Sequence, residues 1–268
     1  MSAVQPVINP IQRICQTTIG HPERINKLLE GAIIPLRRVV IACGQDSFLA
    51  EGIARDGNPP SARQVLETLP SDVIAASLVL YSVDRRLRGR LIESVGEAFL
   101  NEALVRAAMG FVVGDGLDRF GRGRSMLAGF SSRAGLAMIV SEGTEAQAAE
   151  LINQIEVSDS LQRACVSVYE VDPLHVGALV LLAAGCGMTA YSGILGCSTS
   201  HSAPPSGDAE ILWWAVHLLI DQVATKSFEE IPEIVWETLG FTDLPERQDI
   251  YNVMHGVSAR EYRWSWLL

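Results

Sequence analysis

Ala128-Gly129-Phe130-Ser131-Ser132-Arg133-Ala134-Gly135-Leu136 is the stretch on which the reading of this chain turns. Small residues stand at 128, 129, 134 and 135, and small side chains let neighbouring backbones come close. The stretch is expected on or beside a central helix. Toward the N-terminus, Arg119-Phe120-Gly121-Arg122-Gly123-Arg124 forms a basic, glycine-rich loop just ahead of it. Backbone N–H groups at a helix start, with Arg119, Arg122 and Arg124, offer a place for an anion such as phosphate. An exposed turn is the plain alternative. The spacing matches neither G-x-G-x-x-G nor a P-loop.

Further upstream, a long helix is predicted from about Ser94 to Val113. Phe99, Leu100, Leu104, Ala107, Ala108 and Phe111 lie on one side, and Gly114-Asp115-Gly116 ends it. Asp84-Arg85-Arg86-Leu87-Arg88-Gly89-Arg90 has no interleaved aromatics and reads as a solvated basic loop. Pro70-Ser71-Asp72 caps a helix marked by Val73, Ile74, Leu78 and Tyr81. Ser61 with Gln64 has the capping-box spacing. Ile25, Leu28, Leu29 and Ile33 recur at helical spacing after His21-Pro22.

Downstream, Thr144 begins a helix through Ile155, and Ser158 or Asp159 caps another through Tyr169. Asp172 caps the next, with Pro173 at its first position. No Asp, Glu, Lys or Arg occurs from Pro173 to Gly207, yet glycines interrupt the hydrophobicity. The clean apolar run is Val176 to Ala184, far short of the roughly 20 residues a membrane span requires. A fully buried core helix is expected there, and no membrane span. Glu210, Trp214, His217 and Asp221 share one face of the following helix. His217 and Asp221, four apart, can share a metal or a proton. With no third ligand in evidence, a local hydrogen bond at the core edge is the plainer reading. Phe228 to Leu239 and Leu244 to His255 are terminal amphipathic helices, with Gly240 as a C′ residue. The tail Tyr262 to Leu268 is strongly apolar and must dock on the domain or on a partner. Alternating strand segments are lacking, so the fold class is all-α, a multi-helix bundle.

Composition narrows the function. The chain has 268 residues, 48% of them apolar, with mean hydropathy +0.22, enough for a sizeable core. A net charge of −10 argues against a general nucleic-acid binder, which needs cations to displace phosphate counterions. Cys15, Cys43, Cys165, Cys186 and Cys197 form no C-x-x-C and fit no zinc template. Reduced, buried thiols in a cytoplasmic protein are the reading. No secretory signal is visible at the N-terminus.

The order of these segments resembles the HDOD domain, a bacterial output domain related to the HD phosphohydrolases, over nearly the whole chain. Ser61 to Leu69 resembles the family's S-V-x-E-A-L-x-x-L helix, and Phe99 to Ala107 its L-W-x-H-S-x-x-x-A helix. Ala128 to Leu136 is similar to A-G-L-L-H-D-I-G-K, Val171 to Leu179 to V-D-H-A-x-V-G-A-L-L, and Ile211 to Ala224 to the late V-H-L-A-D-x-L-A helix. The resemblance implies a single domain over 1–268. Its parts are a helical portion at about 10–90, an HD-like portion at about 91–225 and C-terminal helices at 226–268.

The resemblance also implies where the enzymes of this superfamily hold metal: a first His, the His-Asp pair and a later Asp. Here those positions read Glu102, Ser132 with Arg133, and Asp221. His175 stands two positions after a family His and does not replace it. An arginine where a bridging aspartate belongs repels a divalent cation. Without a metal no activated hydroxide forms. The expectation is therefore no metal, no cofactor and no catalytic residue, with a buried Glu102–Arg133 ion pair in the metal's place. A separation beyond about 6 Å would contradict that pair.

The function implied is a non-catalytic regulatory domain in bacterial signal transduction, binding another signalling protein or a small ligand. A divergent phosphohydrolase or nucleotide-binding protein using Asp221, His217 and the arginine loop is the alternative. A scaffold or homodimerisation module, using the apolar tail, is the third reading.

Overall fold

The computed structural model describes residues 70–88, 95–198 and 205–259. These form α1 (Ser71–Arg88), α2 (Val95–Asp115), α3 (Arg122–Glu142), α4 (Glu145–Val157), α5 (Leu161–Tyr169), α6 (Pro173–Ala183), α7 (Gly187–Leu195) and α8 (Asp208–Val223). A 3-10 turn at Phe228–Glu230, α9 (Glu233–Thr238) and α10 (Leu244–Ala259) follow. Among the described residues there is no strand, and the fold is an all-α multi-helix bundle. The segments read upstream of residue 70, Cys15, Cys43 and the tail Tyr262 to Leu268 lie outside the described residues.

The quoted stretch lies within α3, and α3 packs against α1, α2, α6 and α8. Its small residues explain how four neighbours fit. A Cβ on Gly129 would stand 2.2 Å from the Arg106 carbonyl oxygen of α2, and one on Gly135 2.2 Å from that of Pro173 at the start of α6. Ala128, Phe130 and Ala134 are fully buried. A helix enclosed on most sides is apolar or small on most sides, which is how this one reads. Around it lies one continuous core that includes Leu80, Leu104, Met126, Phe130, Val216 and Ile220.

The local start signals mostly work as read. Thr144 and Gln147 form a reciprocal capping box on α4, and Asp172 accepts from the Leu174 N–H at 2.9 Å, with Pro173 opening α6. The residue capping α5 is Ser160, one or two positions later than expected. Gly240, at φ 85°, follows α9 in the left-handed conformation that glycine accepts.

Three expectations are corrected. The basic run after Asp84 is not a loop as far as Arg88, because α1 continues through that residue, and Gly89 and Arg90 lie outside the described residues. Asp84 is 1% exposed, and Arg88 Nε contacts both its oxygens at 3.0 Å. Burial pushes the Asp84 carboxyl up, against the pull of Arg88. Second, the helix after Pro173 is not buried all round. It buries Leu174, Gly177, Ala178 and Leu181 but leaves Leu179 46% exposed. Third, Phe228 to Leu239 is not one helix. Pro232 lacks the N–H that a continuous ladder needs, and it separates the 3-10 turn from α9. No single described helix is long and apolar enough to cross a membrane. Cys165 is buried, and burial first, then Asp172, pushes its thiol up to about 12.

Candidate functional site

Three helices bring the sequence-derived site residues together. α2 carries Glu102 and, one turn later, Arg106. α3 carries Ser132 and Arg133. α8 carries His217 and, one turn later, Asp221. Glycine makes the meeting close, since Gly129 lets the α2 backbone pass next to α3 at Arg106.

The charged groups close into a ring. Arg106 Nε donates to Glu102 Oε1 at 3.0 Å, and Arg106 Nη1 to Asp221 Oδ1 at 2.8 Å. Arg133 Nε lies 2.8 Å from Glu102 Oε1, and Arg133 Nη2 lies 3.7 Å from Asp221 Oδ1. The Arg133 Nε contact is a charge contact without an aligned hydrogen bond. The Glu102–Arg133 pair is thus within direct range. It is buried on the arginine side only: the Arg106 and Arg133 side chains are 2% and 13% exposed, Glu102 and Asp221 39% and 41%.

Two guanidiniums and two carboxylates balance. Burial alone would raise the Glu102 carboxyl, but Arg133 and then Arg106 more than offset it and hold it below its ordinary range. Asp221 behaves alike, held down against burial by Arg106, Arg133 and His217. Burial, and then Arg106 beside it, lowers Arg133. His217 is 4% exposed, and its Nδ1 is 2.8 Å from the Ala128 carbonyl oxygen. That carbonyl can only accept, so Nδ1 carries the proton and the neutral ring leaves Nε2 as an acceptor. Burial lowers its pKa, with Asp221 and the Ala128 carbonyl pulling upward and the two arginines downward.

This donor set does not fit a divalent metal. Both carboxylates are engaged by arginines, and among the described residues no group of three His, Cys, Asp or Glu side chains converges. At an effective dielectric constant near 20, a divalent ion about 4 Å from one guanidinium is repelled by roughly 8 kcal/mol. Ser132 is 4% exposed, and its Oγ has no hydrogen-bond partner among the described residues. It helps line a cleft of about 450 Å³ together with Arg133, Gln162, His217, Asp221 and Lys226. His175 is elsewhere, exposed and 3.2 Å from the Tyr191 hydroxyl.

Sequence reading missed Arg106. Its signal was the four-residue spacing from Glu102 within a predicted helix, where an acid and a base meet. The arginine loop divides. Arg122 pairs with Asp115 and stands 4.8 Å over the Phe111 ring, whereas Arg119 and Arg124 line a separate cavity. The N–H of Gly123 at the start of α3 is already taken by Asp72 Oδ2, at 2.7 Å.

No family model matches the chain, and no curated protein matches it. Among solved structures, the chain is similar to the one named "Putative phosphohydrolase from Shewanella amazonensis SB2B". The TM-score is 0.63 at 13% identity, over 100% of this chain and 98% of that one. At that identity the likeness establishes a shared fold, an all-α multi-helix bundle.

Proposed function

We propose that this chain is a non-catalytic regulatory domain on an HD-like fold, acting by binding a small ligand in the cleft beside Ser132 and Arg133. The observation that carries the reading is the ring of Glu102, Arg106, Asp221 and Arg133. Its arginines supply the positive charge that a metal would supply in an enzyme, and they cannot activate water as a metal does. The cleft supports ligand binding because it is roomy and polar and contains a buried hydroxyl without a partner among the described residues. A phosphohydrolase is the second reading, favoured by the name of the structural neighbour and by the nearness of His217 to Asp221.

The two separate in an assay of bis(4-nitrophenyl) phosphate hydrolysis by the full chain, with Mg²⁺, Mn²⁺, Fe²⁺ or Ni²⁺ added in turn. The expected result is no turnover above buffer with the same metal. Turnover that disappears in Asp221→Asn would overturn the non-catalytic reading.

A further inference from the structure

Away from the ring, α1, α3, α7 and α8 surround a second cavity of about 240 Å³. Its lining has apolar and charged members. The apolar lining includes Ala75, Ala76, Phe120, Leu127, Leu212 and Trp213. Phe120 and Trp213 meet edge to face at 5.1 Å, which fixes both rings. Phe120, Leu127 and Trp213 are each 6% exposed or less, so this wall belongs to the core and is preformed. The charged lining is Arg119, Arg124 and Asp72.

These charges are unequal. Asp72 Oδ2 is occupied by the Gly123 N–H. Gly121, at φ 85°, leaves room for it, since a Cβ there would stand 2.7 Å from the same oxygen. Neither Arg119 nor Arg124 has a carboxylate within ion-pair distance among the described residues, in a chain with ten more acids than bases. Two cations against one anion leave one positive charge beside an apolar pocket.

We propose that this cavity binds a small monocarboxylate with an apolar body, its head group between Arg119 and Arg124 and its body against Phe120 and Trp213. A bidentate fork of guanidinium N–H groups suits a carboxylate. A free phosphate dianion suits the site less, because it would face Asp72 and find the helix-start N–H already used. The volume equals about eight waters at liquid density, which limits the body to a short chain or one ring.

The test is calorimetric titration of the full chain with hexanoate and benzoate, against hexanol and inorganic phosphate. Binding of at least one carboxylate is expected, saturable, with Kd at or below about 1 mM. Hexanol and phosphate are expected to bind about tenfold more weakly or not at all. R119A/R124A removes two side chains outside the core and should weaken carboxylate binding about tenfold or more. Leu212→Trp, a half-buried wall position, should block it by filling the space. Folding of both variants is checked by circular dichroism. Absence of saturable carboxylate binding overturns the proposal. So does hexanol or phosphate binding as tightly as the carboxylates, or unchanged affinity in folded R119A/R124A.

Discussion

Arg106 and Arg133 face the same two acids but are not equivalent. The Arg106 side chain is 2% exposed and donates to both carboxylates, whereas Arg133 is 13% exposed and makes charge contacts. Arg106→Leu leaves two acids with one poorly aligned cation, and a cost of about 2–4 kcal/mol is expected. Arg133→Leu leaves the aligned pairs intact and the carboxylates partly in water, so about 1 kcal/mol is expected. Urea denaturation of the two variants reads the difference. Burial of His217 and the charges of the ring together set the response to acid. His217 has its pKa lowered from an ordinary 6.5, so the folded state binds its proton less readily than the unfolded chain does. Its contribution is complete above about pH 6.5 and is lost as pH falls toward the lowered value. Glu102 and Asp221, lowered from 4.5 and 3.8, lose theirs only in stronger acid, where Asp84 with its raised pKa works the other way. His217→Gln, still able to donate to the Ala128 carbonyl, is expected to abolish the loss just below pH 6.5 and keep the loss below about pH 4.5. Denaturant midpoints across pH 4 to 8 decide it, and a slope unchanged by the substitution would contradict this assignment.

At the scale of elements, α3 is held by close backbone contact. Gly129→Ala and Gly135→Ala each drive a methyl into a carbonyl that belongs to another helix, 2.2 Å away. Each is expected to cost about 3 kcal/mol or prevent folding. Gly240→Ala is the contrast: φ is 85° but nothing lies within 4 Å, so only backbone strain of about 1–2 kcal/mol is expected. Thermal unfolding of the three variants ranks them. These contacts explain why α3 was legible in the sequence. Small residues at 128, 129, 134 and 135 have few other uses in a helix interior, where glycine costs stability. The caps at Thr144 and Asp172 were legible because their chemistry is local. Asp72 was not. It was read as the cap of its own helix, but its carboxylate reaches Gly123 on α3, and a partner 51 residues away leaves no mark in local spacing. The run from Asp84 misled for a related reason. Clustered arginines suggest water, and only tertiary packing buries Asp84 and Leu87 among them.

For the whole molecule, the all-α fold followed from helical spacing and from the lack of strand signals, and the structural neighbour shares it at 13% identity. The site was legible in part. Glu102, Arg133 and Asp221 were singled out by position, and three helices unite them. Arg106 was hidden, since an arginine on an apolar helix face reads as a surface residue until its partners are known. Arg119, Arg122 and Arg124 formed one cluster in sequence and two environments in space, because a helix start turns successive side chains to different sides. The central claim of the proposed function is that positive charge from the protein itself stands where the HD resemblance implies a metal. Elemental analysis of the purified full chain, after exposure to Mn²⁺, Fe²⁺, Ni²⁺ and Zn²⁺ and removal of the excess, tests it most directly. The account predicts well under one divalent ion per chain, unchanged in Asp221→Asn. Near-stoichiometric metal that is lost in Asp221→Asn would contradict it.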